Sequence, residues 1–204
     1  MTIADRKERE FQRREEEILA AALKLFLQHG LETVTIEMIA EAAEIGKGTI
    51  YKHFKSKHDI FVSLAINSAD AAQTVIEEQI DPDGPVVDQL CRLIRIKWNK
   101  FMQNPEHYYL MMRCERIVAM EDLTPEVSAR LMAKHNYMKV LVERLISRGI
   151  QEGIIRDEPI ENLYTVGYGA LIGTIDIMRD IQVEDPENLY KLMEHMIIKG
   201  MMKY

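Results

Sequence analysis

The chain has 204 residues and a formal net charge of -7, with 33 acidic residues against 26 lysines and arginines. That length allows one or two domains with a substantial buried core. The acidic balance argues against a protein that coats nucleic acid generally, because counterion release requires many cations facing the polymer. Any contact with DNA would therefore have to be local.

Two features of the sequence bear on location and redox state. The apolar runs are far shorter than the roughly 20 residues that a membrane helix needs, and the charged start MTIADRKERE has no apolar signal-peptide core behind it. We therefore expect a cytoplasmic protein with no membrane partner. Two cysteines without CxxC spacing predict reduced thiols rather than a disulfide or metal framework, with a catalytic cysteine as the alternative.

Residues 1 to 14 mix basic and acidic side chains, and we expect this segment to fray. Its basic residues could follow the DNA backbone or enter a minor groove, or they could belong to an ordinary solvated helix start; they are Arg6, Lys7, Arg9, Arg13 and Arg14. From about Glu15, apolar residues at helical spacing predict the first helix, and Gly30 ends it as a C-terminal cap.

Two short helices are predicted between residues 35 and 53. The first has Thr35 as its cap and apolar side chains at helical spacing, at Ile36, Ile39, Ala40 and Ala43. A turn at residues 44 to 46 separates it from a second helix, Lys47 to His53. Two short helices joined by a turn of this length indicate a helix-turn-helix. Ser56, with Asp59 three residues later, predicts the capped start of a longer helix.

Positive charge is concentrated on the second short helix and the residues that follow it. Between Gly46 and His58 there are four lysines, two histidines and no acidic residue. Residues 1 to 60 carry ten basic against eleven acidic residues, a net of -1, so -6 remains on the rest of the chain. Phosphates attract a basic patch, and small polar side chains beside it can reach base edges in a major groove. A solvated basic surface turn is the alternative, and the helix-turn-helix spacing favours DNA.

Residues 15 to 62 resemble the N-terminal domain of the TetR family of bacterial transcriptional regulators. The family pattern is a helix, a glycine, a threonine-initiated helix, a turn and K-G-T-[ILF]-Y-x-[HY]-F-x-[SN]-K. Its matching positions in this chain are Lys47, Gly48, Thr49, Ile50, Tyr51, Phe54, Ser56 and Lys57. Two positions depart from the pattern. Glu44 stands where a turn glycine is usual, which implies backbone strain or another turn geometry, and Gly46 replaces a serine that would cap the helix and could touch a phosphate.

The resemblance implies a DNA-binding domain over residues 1-62 and a double-stranded DNA operator as partner. The residues that we expect at this interface are Thr35, Lys47, Gly48, Thr49, Tyr51, Lys52, His53 and Lys57. We assign Thr35, Tyr51 and Lys57 to phosphates. Lys47, Thr49 and His53 are placed nearer the bases. Phosphate contacts would position the domain, and base contacts would specify sequence.

Beyond Ser56 the chain continues as helices without any alternating strand pattern. We predict helices to about Ile80, then Val86 to Gln103, Glu106 to about Met120, Pro125 to about Glu152 with Thr124 as cap, Pro159 to about Ile181, and Pro186 to about Met202. The predicted fold is all-α, with about nine helices: a three-helix helix-turn-helix domain followed by a helical ligand-binding and dimerisation domain, residues 63-204.

In the family, the C-terminal domain holds a small ligand and forms a homodimer, mainly through the last two helices. Small residues at 167, 169, 170 and 173 would let helices approach closely there, as in a four-helix dimer interface. The same G-x-G-x-x-x-G letters could form a dinucleotide loop, but no strand precedes them and the flanks are helical. We therefore expect a homodimer through the last two helices.

Aromatic and methionine side chains are concentrated in the middle of the C-terminal domain. Such side chains would suit an apolar or amphipathic small-molecule effector, although a tightly filled core is the plainer interpretation of each one. The predicted ligand-binding residues are Trp98, Met102, Tyr109, Arg113, Tyr137 and Tyr168, with Arg113 and His107 as polar anchors for an acidic guest.

The sequence contains no recognisable catalytic or metal-binding pattern. The six histidines form no HxxxH, HExxH or ExxH pair, and neither GxSxG nor a Walker loop occurs. We expect no catalytic residues, no metal site and no cofactor. The leading hypothesis is a ligand-released repressor. The alternative is a helical small-molecule binding protein or enzyme that has kept a vestigial DNA-binding domain.

Overall fold

The computed structural model describes residues 2–117 and 125–203. Within these ranges the chain forms nine α-helices and no β-strand, which confirms the predicted all-α fold. The helices are α1 (Ile3–His29), α2 (Ile36–Ala42), α3 (Lys47–His53), α4 (Lys57–Gln79), α5 (Val86–Gln103), α6 (Pro105–Ile117), α7 (Pro125–Gln151), α8 (Ile160–Ile177) and α9 (Pro186–Met201). The predicted end of α6 near Met120 and the predicted cap Thr124 lie outside the described residues.

The first helix starts at Ile3, well before the predicted start near Glu15, which agrees with the alternative of an ordinary solvated helix start for residues 1 to 14. Thr2 and Asp5 form a capping box: Thr2 Oγ1 accepts a hydrogen bond from the Asp5 backbone N–H at 3.2 Å, and Asp5 Oδ2 accepts one from the Thr2 backbone N–H at 2.7 Å. Further along, Arg13 and Arg14 pair with Glu17. These partners are three or four residues apart, a spacing at which side chains meet on a helix.

The turn between α2 and α3 takes the left-handed backbone conformation at Glu44, with φ at 55°. The backbone N–H of Glu44 donates to Glu41 O at 3.0 Å, and that of Ile45 donates to Ala40 O at 2.9 Å. This pair of hydrogen bonds is the Schellman arrangement that ends many helices and that favours glycine at the left-handed position. The sequence left open whether Glu44 is strained or the turn has another geometry. The structure shows the strained, left-handed conformation.

Replacing Glu44 by glycine should stabilise the protein. A left-handed residue with a Cβ costs about 1–2 kcal/mol, and the freedom that glycine adds to the unfolded chain offsets about 0.4–1 kcal/mol of that gain. We expect the free energy of unfolding in urea to rise by about 0.5–1 kcal/mol. Glu44→Gln is the matched control, because it removes the charge and keeps the strain. Equal stability changes in the two variants would contradict the strain argument.

The first compact unit consists of the described residues of 1–69 and 106–132. Its core joins the inner faces of α1 to α4 with Leu110 of α6. Phe26 of α1 packs edge to face against Phe61 of α4, with ring centroids 5.4 Å apart, and Ile50 of α3 is fully buried. Ile50 thereby places the inner side of α3 in this core, while the other side of the helix is mostly exposed.

The capped start predicted for α4 is confirmed. Ser56 Oγ accepts a hydrogen bond from the backbone N–H of Asp59 at 3.0 Å. The Asp59 carboxylate in turn accepts one from the backbone N–H of Lys55 at 3.2 Å. The first bond satisfies a backbone donor that the first turn of a helix leaves unpaired, and the second binds the residue before the cap to that turn. The start of α4 is thereby held directly behind the end of α3.

The second compact unit consists of the described residues of 70–105 and 133–204. At its centre, Trp98 of α5 is 2% exposed and packs against Tyr190 of α9, with ring centroids 5.5 Å apart. Arg95 lies over the Tyr190 ring at 3.3 Å and makes two hydrogen bonds with the Glu187 carboxylate, at 2.8 and 2.9 Å. These contacts fix α9 against α5.

The predicted boundary between the DNA-binding and ligand-binding domains at residue 62 stays a prediction. The division of the chain into compact units does not test where DNA binding ends.

The glycines of the G-x-G-x-x-x-G run lie inside α8, so a dinucleotide loop is wrong for this segment. Gly167 is buried, and a Cβ there would collide with the terminal methyl group of Met201 on α9. The missing side chain therefore allows α8 and α9 to approach closely. Helix α8 ends at Ile177, before the predicted Ile181, because the Asp180 N–H donates to Ile177 O at 3.0 Å in a tight turn.

Candidate nucleic-acid interface

The outward side of α3 forms what we call the recognition face: Lys47, Gly48, Thr49, Tyr51, Lys52 and His53. Lys47, Gly48, Tyr51 and Lys52 are exposed, and Thr49 and His53 are half-buried. The tyrosine is the largest of these side chains and is 56% exposed. Since Ile50 holds the other side of the helix in the core, the recognition face carries mostly polar groups in a fixed orientation. A surface of this kind can lie against the phosphates and base edges of a major groove.

Thr35 acts as the N-terminal cap of α2. Its hydroxyl oxygen accepts a hydrogen bond from the backbone N–H of Met38 at 3.2 Å, which confirms the predicted capping role. A hydroxyl also has one proton to donate. In the free protein, a hydrogen bond from the Thr35 side chain helps to lower the pKa of Glu37, so a phosphate oxygen would have to replace this carboxylate as the acceptor. The phosphate contact of Thr35 stays a prediction.

Lys47 forms an ion pair with Glu37, which couples the start of α3 to the first turn of α2. Both side chains are more than half exposed. The hydrogen bond from Lys47 is the largest of the influences that lower the pKa of Glu37, so this carboxylate is ionised at neutral pH. Sequence patterns did not predict this pair, because the partners are ten residues apart and on different helices. In the free protein, Glu37 therefore pairs with the ammonium group of Lys47, which we expect to contact DNA.

Removing this competitor should strengthen DNA binding. In Glu37→Gln, Lys47 loses its anionic partner and becomes available to phosphate or base acceptors. We expect about two- to fivefold tighter binding per DNA-binding domain to the selected operator, and a smaller gain on random DNA, because a base contact depends on sequence. Fluorescence anisotropy with each DNA measures both. Glu41→Gln is the control, because it removes an exposed acid from the same helix; equal gains in both variants would rule out a specific effect of the pair.

Lys57 is held by two backbone carbonyl groups at the end of α1. Its Nζ donates to Leu31 O at 2.7 Å and to Glu32 O at 3.3 Å. An ammonium group has three donors, so one hydrogen remains for a phosphate. The lysine therefore joins the start of α4 to the loop before α2, a structural role that the sequence did not predict. Its phosphate contact stays a prediction.

His53 packs against a residue that the sequence prediction missed. The ring of Phe11 on α1 stacks on the imidazole, with centroids 4.0 Å apart and an angle of 27° between the planes. Burial lowers the pKa of His53, an effect that outweighs the nearby Glu15 carboxylate, and Arg14 and Lys52 lower it further. The ring is therefore neutral at pH 7. A signal for Phe11 was present, since it lies seven residues, or about two helical turns, before the core residue Ile18.

The predicted ligand-binding residues have separate surroundings. Trp98 belongs to the core of the second unit, while Met102 is 41% exposed. Tyr168 stacks on Tyr164 with centroids 5.6 Å apart, and its hydroxyl oxygen accepts a hydrogen bond from Lys97 at 3.1 Å.

The remaining members of that set lie on two helices, α6 and α7. Tyr137 has a raised pKa, caused first by burial and then by the nearby Glu77. Tyr109 packs edge to face on Tyr108 in the first unit, and the side chain of Arg113 lies outside the described residues. The suspected anchor His107 lies 3.4 Å from Ser68 Oγ. The predicted pocket therefore stays a prediction.

Three further observations concern other classes of site. Among the described residues, no group of three or more histidine, cysteine or acidic side chains is arranged to hold a metal ion. Burial raises the pKa of Cys91 to about 11, so its thiol is protonated at neutral pH. In the part of the chain that the structure describes, none of the helices is sufficiently long and apolar to cross a bilayer.

Several known proteins are similar to this chain in sequence or in fold. The model for the tetR family of bacterial regulatory proteins matches residues 18–64, which span the end of α1 through the start of α4. The HTH-type transcriptional repressor AcnR of Corynebacterium efficiens is 30% identical over 151 residues, covering 73% of each chain. AcnR of Corynebacterium diphtheriae is 26% identical over 186 residues, covering 91% of this chain and 90% of the relative.

The fold of a solved structure extends the likeness over almost the whole chain. A tetR-family regulatory protein from Rhodococcus RHA1 superposes with a TM-score of 0.74 at 19% identity, covering 94% of this chain and 98% of the other. At that identity the likeness establishes the fold alone, whereas the AcnR similarity extends the relation beyond the matched domain. Together with the helix-turn-helix and its exposed basic face, these matches make the chain a DNA-binding transcriptional regulator of the tetR family.

Proposed function

We propose that this regulator is a homodimeric repressor that binds a near-palindromic operator and leaves it when a small apolar or amphipathic molecule binds the C-terminal domain. The observation that supports it most directly is the exposed, polar recognition face on a helix whose other side is fixed by Ile50. The relatives from Corynebacterium are named as repressors. Its place of action would be the cytoplasm, where bacterial operators lie.

At the interface, we infer that Thr35, Tyr51 and Lys57 bind phosphates. Lys47, Thr49 and His53 would lie nearer the base edges, with Gly48 and Lys52 beside them on the recognition face. Tyr51 and Lys52 are exposed, and Lys47 can exchange Glu37 for DNA, since that ion pair lies at the surface. A dimer would carry two such faces, so its half-sites would lie about one helical turn apart or somewhat more.

The proposed homodimer uses what we call the dimer face: Val166, Gly169, Ala170, Gly173 and Ile177 of α8 with Leu192 and Met196 of α9. Four of these side chains are large, apolar and more than half exposed, and Val166 reaches 72%. A Cβ added at Gly169 or Gly173 would meet no atom of the same chain within 4 Å. An apolar stripe with open space at its glycines suits the close approach of helices from a second copy.

The proposed effector would bind among the aromatic and methionine side chains of the C-terminal domain. Lys97 lies over the ring of Tyr168, with Nζ 4.7 Å from the ring centroid. A cation beside a predicted pocket residue suits an effector that carries an acidic group on an apolar body.

Release of the operator would require the effector to bind the non-DNA-binding state of the protein more tightly than the operator-bound state. We infer that α4 transmits that difference, because Lys57 at its start is tied to Leu31 O and Glu32 O.

Selection from a random DNA pool at two salt concentrations tests the DNA-binding part of this proposal. We expect enrichment of one near-palindromic sequence that persists at the higher salt, because base contacts add discrimination to the salt-sensitive phosphate contacts. Failure to enrich a palindrome, together with turnover of a small molecule, would favour the enzyme alternative.

Native mass spectrometry of the purified protein tests the effector part. A co-purified small molecule should appear as an added mass on the dimer and, when supplied in excess, should release the selected operator in a gel shift. A bound molecule that leaves operator affinity unchanged would contradict the release mechanism, because coupling between two sites must act on both affinities.

A further inference from the structure

The stack between Phe11 and His53 connects the start of α1 to the end of the recognition helix. The two residues are far apart in sequence and belong to the same compact unit. Within the described residues, the buried Nδ1 of His53 makes no hydrogen bond, so the ring is held by packing on that side. Nε2 is then the ring nitrogen left for a DNA contact.

Phe11 lies outside the residues that the family model matches, which begin at Ile18. It is also 43% exposed, although an aromatic ring gains most from full burial. Phe11 has no part in the buried core cluster of the first unit, which starts along α1 at Ile18. Its close partner is instead a residue of the recognition face.

We propose that Phe11 is a positioning residue for sequence recognition: it fixes the His53 ring at the end of α3, so that the imidazole presents Nε2 to a base edge. The first four turns of α1 thereby become part of the DNA-recognising unit without touching DNA at Phe11. This inference rests on the proposed role of His53 at the DNA interface.

The stack also determines the charge of the ring. Burial of the ring, to which the stack with Phe11 contributes, favours the neutral imidazole, as do Arg14 on α1 and Lys52 on α3, while Glu15 on α1 favours the charged one. A neutral ring discriminates between donors and acceptors on base edges, whereas a charged ring donates from both nitrogens and is attracted to any phosphate. Loss of Phe11 should therefore reduce sequence discrimination more than total affinity.

The decisive experiment compares Phe11→Ala with the wild type in two measurements. In the free protein, NMR titration should show the pKa of His53 rising towards about 6.5, the value of an exposed imidazole. With DNA, the ratio of affinities for the selected operator and for random DNA should fall by about tenfold, within the range of one base contact. At pH 8, where the imidazole is neutral in both proteins, the salt dependence of binding should stay unchanged.

Three matched variants separate positioning from a general loss of structure. Phe11→Tyr keeps the stacked ring and should restore the discrimination ratio. Gln12→Ala changes an exposed neighbour on α1 and should behave as the wild type. In a His53→Ala background, Phe11→Ala should have no further effect on discrimination, because the two residues act through one contact.

Several outcomes would overturn this role. They are wild-type discrimination in Phe11→Ala, an unchanged His53 pKa, or the same loss when His53 is already alanine. A wild-type protein that selects no DNA sequence would overturn the proposed function and the positioning role together, while the NMR titration would still show whether Phe11 buries the imidazole. Failure of the proposed function can therefore be distinguished from failure of the positioning role of Phe11.

Discussion

Replacing Val166 by glutamate should produce a monomer that binds its operator about 10²–10⁴ times more weakly than the wild type. Val166 is the most exposed large apolar residue of the dimer face, at 72%. In a two-fold interface, each substitution appears twice on self-complementary surfaces. The new carboxylates would lose water and face apolar neighbours or each other, which costs several kcal/mol at an interface.

The loss of operator affinity follows from the loss of the second DNA-binding domain. Once one domain of a dimer is bound, the second binds at a high effective concentration, and a monomer loses that gain. Light scattering after size exclusion measures the mass, and a gel shift measures the affinity. On DNA with a single half-site, the variant should bind as weakly as the wild type does, because its recognition face is intact.

Val140→Glu is the matched control for this substitution. Val140 is 61% exposed, but it lies on α7 and outside the dimer face. It should therefore leave both the dimer mass and the operator affinity unchanged. A dimer of Val166→Glu with full affinity would show that this part of α8 is not in the interface.

Replacing Tyr51 by alanine should weaken operator binding by roughly 100-fold. Tyr51 is 56% exposed at the centre of the recognition face, and we assign its hydroxyl to a phosphate. A hydrogen bond to a charged group contributes about 1.5 kcal/mol or more, and a dimer would lose two of them, about 3 kcal/mol in total. The salt dependence should not change, since tyrosine carries no charge at neutral pH.

Two comparisons resolve the cause of this effect. Tyr51→Phe removes only the hydroxyl group, so it should reproduce most of the loss if the phosphate contact dominates. Asn67→Ala changes an exposed polar residue on α4 of the same unit and should leave binding unaltered. Helicity and dimer mass should be those of the wild type in all three variants. Unchanged operator affinity in Tyr51→Ala would show that the assigned face does not contact DNA.

Local signals in the sequence predicted most of the helices. The threonine cap of α2, the serine cap of α4 and the glycine after α1 each act within about four residues, and each has the predicted hydrogen bond or position. The predicted start of α1 near Glu15 was too late for a similar local reason. The capping pair Thr2 and Asp5 was present in the sequence, but the mixture of charges concealed the helix that it starts.

The sequence by itself determined the helical elements, the basic character of α3 and the family to which they belong, because caps, turns and apolar periodicity act between near neighbours. The tertiary structure decided which groups the interface residues contact. Glu37 reaches Lys47, Leu31 O accepts from Lys57, and Phe11 stacks on His53 only after α1 to α4 have packed around the core. Such contacts depend on the direction in which a packed helix turns each side chain, which sequence separation does not reveal.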